Sequence, residues 1–185
     1  MINAVDLRPG NVFTDSGTLY EVLRFQHHRM SQAAAICKVR VKDLRSGVIV
    51  DKSYRSADKF EAPEVEKKLK TFLYFDNDMA NFMDMQTYET SAFNKEKLGW
   101  ASQFLTENLE VEGLYVGDEL MDIILPPSVN LKVETAPPGI RGDSATNPTK
   151  PCTLENGMVV QTPAFIKGGD IVSIDTDSGE YIGRV

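Results

Sequence analysis

Lys38-Val39-Arg40-Val41-Lys42 alternates cation and valine over five residues. Successive side chains on a β-strand point to opposite faces, so both valines share one face and the three cations share the other. The stretch predicts a strand with one buried and one wet face. The same reading extends outward. Tyr20 to Phe25 and Val48-Ile49-Val50 read as neighbouring strands. In the last third, Met158-Val159-Val160 and Ile171-Val172-Ser173-Ile174 are β-branched runs bounded by glycine. Turn signals recur between these runs: Asp15-Ser16-Gly17, Ser46-Gly47, Asn77-Asp78, Gly117-Asp118, Asn156-Gly157, Gly168-Gly169 and Ser178-Gly179. Short apolar runs with such punctuation indicate an all-β chain of small sandwiches or barrels.

Two stretches read as helices. Asn94 to Leu109 places Leu98, Ala101, Leu105 and Leu109 at helical spacing, with Trp100 and Phe104 broadening the face and Asn94 as cap. Glu64 to Lys70 reads as a short second helix. Ala62-Pro63 and Leu125-Pro126-Pro127 read as junctions, because proline interrupts β-ladders and stiffens connections. Cuts there divide the chain into residues 1–63, 64–127 and 128–185, each about the size of one small barrel.

The chain has 185 residues, 42% of them hydrophobic and 25% charged, which excludes wholesale disorder, collagen and coiled coil. No apolar run approaches the ~20 residues of a membrane helix. Met1 to Asp6 lacks a basic region followed by an apolar one, so no signal peptide is expected. Cys37 and Cys152 are far apart with no CxxC, which argues against a disulfide framework or a structural zinc site and for packing thiols in a reducing, cytoplasmic setting. The net charge of −7 is unevenly spread. Residues 1–63 hold ten Lys/Arg against seven Asp/Glu, residues 64–127 five against thirteen, and residues 128–185 five against seven. A polyanion would meet the N-terminal third first.

Motifs of catalysis are missing: there is no phosphate loop of the GxxxxGK[ST] type, no GxGxxG, no HExxH and no GxSxG. His27 and His28 are adjacent, so on a strand they face opposite ways and cannot share a metal; a loop base is the expected place for them. Arg141-Gly142-Asp143 spells an adhesion tripeptide without a secretion signal, and Pro148 disqualifies Asn147 as a glycosylation site. No catalytic residues, metal or cofactor are therefore expected, and an enzyme is not. Gln26 to Ala35, polar or small throughout, reads as a long hairpin loop held up by two strands, where functional residues often sit.

With these residues in view, the chain resembles the bacterial elongation factor P family end to end. The resemblance is strongest in Glu134-Thr135-Ala136-Pro137-Pro138-Gly139-Ile140-Arg141-Gly142-Asp143-Ser144, then Thr149-Lys150-Pro151, Thr153-Leu154-Glu155-Asn156-Gly157, Asp175-Thr176 and Ser178-Gly179-Glu180-Tyr181-Ile182-Gly183-Arg184. Phe82-Met83-Asp84 with Thr87-Tyr88-Glu89 matches the middle of the family pattern, and Leu44-Arg45-Ser46-Gly47 with Asp51-Lys52 the start. Two departures fall in the C-terminal signature: Cys152 replaces Ala, and Thr162 replaces Val. The resemblance implies an N-terminal SH3-like (KOW) barrel and two OB-fold barrels in an L-shaped, tRNA-like arrangement. It implies a cytoplasmic elongation factor that binds the 70S ribosome, both rRNA and ribosomal proteins, between the peptidyl and exit sites. Such a factor contacts peptidyl-tRNA and mRNA in the exit site, acts as a monomer away from membranes, and relieves stalling at consecutive prolines.

The resemblance also implies site residues. Arg29, Met30, Ser31, Gln32 and Ala33 form the loop that reaches peptidyl-tRNA. Gln32 takes the family's modified position, where Lys or Arg is usual, with Met30-Ser31 and Ala33 replacing Pro-Gly and Gly. An amide offers neither an amine to acylate nor a guanidinium to glycosylate, so Gln32 is expected to act unmodified, assisted by Arg29. Gly142, Asp143 and Ser144 match the exit-site codon loop, Tyr181 and Arg184 the C-terminal contact with RNA and small subunit. Arg40 and Lys42 are the candidate contacts to tRNA or rRNA backbone. The alternatives are a paralogue acting on other stall motifs, and an OB-fold RNA-binding protein acting off the ribosome.

Overall fold

The computed structural model describes residues 1–28, 35–138 and 148–185. The N-terminal part forms β1 (Ile2–Asn3), β2 (Val12–Asp15), β3 (Thr18–His28), β4 (Ile36–Asp43), β5 (Ile49–Arg55) and β6 (Lys59–Phe60). Strands β2 to β5 make an antiparallel meander in sequence order, and β1 pairs with β6. Thr14 bridges Glu61, which ties the meander to the chain after β6. The alternation in β4 holds: Cys37, Val39 and Val41 are buried while Lys38 and Arg40 are exposed. Val39 and Val41 join Leu7, Phe13 and Val22 in the first core. At the Asp15 turn, Ser16 and Gly17 both take positive φ (53° and 82°), the geometry that matches the twist of a two-residue hairpin.

The middle part holds β7 (Val65–Asp76), β8 (Met79–Asp84), β9 (Thr90–Asn94), α1 (Lys95–Leu98), β10 (Glu110–Val116) and β11 (Glu119–Ile124), in sheet order β11-β10-β7-β8-β9. The last part holds β12 (Ser128–Thr135), β13 (Thr149–Leu154), β14 (Val159–Pro163), β15 (Ile171–Asp175) and β16 (Tyr181–Arg184), in order β14-β13-β12-β15-β16. Counted from each sheet's first strand, the neighbour relations are identical. One strand order therefore recurs without any visible sequence repeat, and it belongs to the five-stranded, partly open OB barrel. No helix among the described residues is long and apolar enough to cross a membrane.

Both expected helices change. The helix over Glu64 to Lys70 is instead the start of β7, whose residues from Val65 to Thr71 pair with β10. That partner lies some forty residues downstream, and its ladder overrides local propensity. The helix over Asn94 to Leu109 shrinks to one turn. Asn94 Oδ1 does accept the Glu96 N–H at 2.7 Å, but Gly99 turns left-handed at φ 52° and the chain continues as a 3-10 segment, Gly99–Phe104. The apolar residues explain the break. Leu98 and Leu105 enter the core of the middle sheet, whereas Phe104 enters the core of the last sheet. One helical face cannot serve two cores.

That 3-10 segment joins the two OB-type barrels. Trp100 Nε1 donates to the Thr176 carbonyl at 2.9 Å, and Asn156 Nδ2 donates to the Gln103 carbonyl at 2.8 Å. Thr176 Oγ1 donates in turn to the Pro126 carbonyl. Gly179 sits under the Trp100 ring at φ 74°, where an added Cβ would lie 2.9 Å from Cζ2. Backbone conformation and indole contact both require glycine there. Gly179→Ala is expected to cost about 1–3 kcal/mol and to change the emission of Trp100, the chain's single tryptophan. Unfolding followed by fluorescence checks it; an unchanged midpoint contradicts it.

The first and middle sheets meet through Val12, Leu44, Leu114 and Met121. Beside this apolar contact, Lys42 Nζ lies 2.5 Å from Asp122 Oδ2. The two cysteines are free and buried, as packing thiols should be. Cys152 Sγ lies 3.1 Å from Thr162 Oγ1, so the two departures in the C-terminal signature touch each other. A thiol and a hydroxyl replace two apolar groups as a mutually satisfied pair.

Candidate nucleic-acid interface

The wet face of the first meander is built by strand register. On one row Arg24 of β3 stands opposite Arg40 of β4, which stands opposite Asp51 of β5. On the next row Gln26 stands opposite Lys38, which stands opposite Ser53. All six side chains are exposed and line an open hollow of about 400 Å³. Like charges directly opposite on neighbouring strands destabilise a sheet. Arg24 facing Arg40 is thus a cost in the free protein, offset in part by Asp51 on the other side of Arg40, and an anion over the pair would lower it further. Guanidinium groups with an ammonium and an amide suit phosphate oxygens. Lys52, at the edge, is engaged elsewhere: its ammonium lies 2.7 Å from Asp15 and holds that carboxyl below the usual carboxylate range.

The structure distributes the expected site residues unevenly. Arg40 stands on the hollow. Lys42 is only 17% exposed at its side chain and turned to Asp122, in an ion pair that sequence reading did not foresee. The wet face of β4 is closed there by β11. Tyr181 is half-buried and packs on the core of the last sheet. Arg184 is exposed, with its guanidinium 5.8 Å from the centroid of the Phe165 ring and 4.0 Å from Asp170. Arg29, Met30, Ser31, Gln32 and Ala33 lie outside the described residues, as do Gly142, Asp143 and Ser144. The hairpin stem is longer than expected, since Gln26, His27 and His28 continue β3 and pair with Lys38, Cys37 and Ile36.

Arg24 and Lys38 are residues that sequence reading passed over. Alternation around Arg40 already places Lys38 on its face. Arg24 had no such signal, because a register shift between Val22 and Arg24 sets its partner. No cluster of three or more His, Cys, Asp or Glu able to hold a metal occurs among the described residues.

A cationic meander followed by two OB-type barrels defines a three-barrel protein of the KOW/OB class. Comparison with known families makes this specific. Residues 3–60 match the elongation factor P KOW-like domain, residues 65–123 the elongation factor P OB domain, and residues 129–184 the elongation factor P C-terminal domain. Curated relatives called elongation factor P align over the whole chain and their whole length: 40% identical in Elusimicrobium minutum, 39% in Endomicrobium trichonymphae and 39% in Moorella thermoacetica. The chain belongs to the elongation factor P family, and is a translation factor.

Proposed function

We propose that the protein binds the 70S ribosome between the peptidyl and exit sites, contacts peptidyl-tRNA, and speeds peptide-bond formation at consecutive prolines. Family membership supports the class of function. The observation that carries the site is the exposed hollow with Arg24, Lys38 and Arg40 at the root of the hairpin. Its cations take the phosphate backbone, and Arg29 to Ala33 contact peptidyl-tRNA. Proline is a slow substrate because its ring fixes φ and hinders its nitrogen. A factor that orients the tRNA ends helps through proximity rather than through an acid or base. Gln32 acts as encoded, without modification. Residues 1–63, 64–127 and 128–185 form the three domains of an L-shaped, tRNA-like monomer in the cytoplasm, with Gly142, Asp143 and Ser144 at the exit-site mRNA and Tyr181 and Arg184 toward the small subunit. Lys42 would have to leave Asp122 to meet a phosphate, so it serves the junction first. Met30-Ser31-Gln32, so unlike the family's usual loop, favours one second reading: a paralogue tuned to other stall motifs.

Ribosome co-sedimentation over a salt series tests the proposal. Arg24→Ala, Lys38→Ala and Arg40→Ala are each expected to weaken binding and to reduce the salt slope by about 1, as loss of one phosphate contact does. Wild-type binding to naked RNA but not to ribosomes, or unchanged slopes in all three variants, overturns it.

A further inference from the structure

The other face of the same hairpin bears a row of stacked groups that phosphate binding does not use. Arg8 donates to the Val5 carbonyl at 2.9 Å and the Leu7 carbonyl at 2.7 Å, which fixes its guanidinium 5.1 Å from the centroid of the Phe25 ring. Phe25 is half-buried against the first core. His27, two residues on and on the same face of β3, stacks against Phe25 with centroids 6.5 Å apart and planes 28° apart. His27 is exposed, so the row ends in an open imidazole. Opposite it on β4 is the fully buried Cys37, whose Sγ lies 3.7 Å from Ser56 Oγ. The stem is therefore well supported at the level of His27, while the ring itself faces solvent.

We propose that the β3–β4 hairpin is two-faced and lies between two RNA segments, reading phosphates with Arg24, Lys38 and Arg40 on one side and stacking an unpaired base on His27 on the other. The inference rests on the ribosome-binding reading above. Chemistry favours a base as the occupant. A planar ring already backed by a fixed aromatic and a guanidinium presents a π-face at little further ordering cost, and unpaired bases stack on such rings in single-stranded RNA recognition. The opposite face of the strand pair supplies the charge, so one RNA strand cannot engage both faces of the stem at once. Two segments, or two parts of one folded RNA, are required.

The salt series separates the two faces. His27→Ala is expected to weaken ribosome binding about five- to thirty-fold at every salt concentration, the equivalent of one lost base stack of about 1–2 kcal/mol, with the salt slope unchanged. His27→Phe, which keeps a planar ring and loses the nitrogens, restores affinity to within about three-fold of wild type. A hydrogen-bonding role for His27 would not be rescued by phenylalanine, and a role only in packing on Phe25 would show as a lowered unfolding midpoint in His27→Ala, which base stacking does not require. Undiminished binding by His27→Ala overturns the proposal, as does failure of His27→Phe to rescue, or a slope falling by about 1 as for a phosphate contact. If Arg40→Ala lowers the slope while His27→Ala is neutral, the stack alone fails; if the wild-type protein does not bind ribosomes, both readings fail.

Discussion

Phe104→Ala lowers the unfolding free energy of the last barrel by about 3–5 kcal/mol. Phe104 is fully buried, packed among Leu131, Leu154, Ile166 and Ile174, yet it comes from the crossover of the preceding barrel. Truncation leaves a ring-sized cavity in a core that collapses poorly, because most of its other walls are paired strands. It also removes the edge-on neighbour of Trp100, whose ring centroid lies 5.4 Å away. The loss shows in denaturant unfolding followed by Trp100 emission, and the joint between the OB-type barrels loosens with it. A cost below about 1 kcal/mol would contradict the shared core.

Lys42→Ala is the second large effect, about 3–5 kcal/mol at neutral pH, because it leaves the buried Asp122 carboxylate without its cation and takes the same cation from beside Glu21. Glu21 stands directly opposite Lys42 across β3 and β4, and Asp122 pairs with the Lys42 ammonium from β11. Glu21 is 8% exposed. Burial first, then the Asp122 charge, push its carboxyl up from 4.5 to about 7, against the pull of Lys42 and Lys67. The sign of the pH dependence follows. An acid whose pKa rises on folding opposes folding once it ionises. The cost is nil below pH 4.5, grows between 4.5 and about 7, and is complete above that. Glu21→Gln therefore stabilises the protein by on the order of 2–3 kcal/mol at pH 8 and changes little at pH 4. The Lys42→Ala deficit shrinks as pH falls, since Glu21 takes up a proton. Thermal unfolding of both variants across pH 4 to 8 checks this; parallel curves for wild type and Glu21→Gln would contradict it.

Much of this architecture is legible in short-range pattern. The alternation from Lys38 to Lys42 reads correctly because each valine needs only its own strand and one core. The turn signals read correctly because a left-handed residue such as Gly17 declares itself locally. The failures share a cause at longer range. Leu98, Phe104 and Leu105 look like one helical face until two cores divide them. Glu64 to Lys70 looks helical until β10 pairs with it. Lys42 looks wet until Asp122, eighty residues on, covers it. Of the candidate site, Arg40 was legible from alternation, Lys38 equally so but passed over, and Arg24 was hidden by a register shift. His27 reads as a loop base, and it does stand near the end of β3, but nothing in the chain announces that Arg8 and Phe25 back its ring.

The most direct test is peptide synthesis through a Pro-Pro-Pro stretch in a reconstituted translation system, with recombinant protein made without any modifying enzyme. Strong acceleration over a reaction lacking the factor is the predicted result, with Gln32 working as encoded. Ribosome binding without acceleration would contradict it.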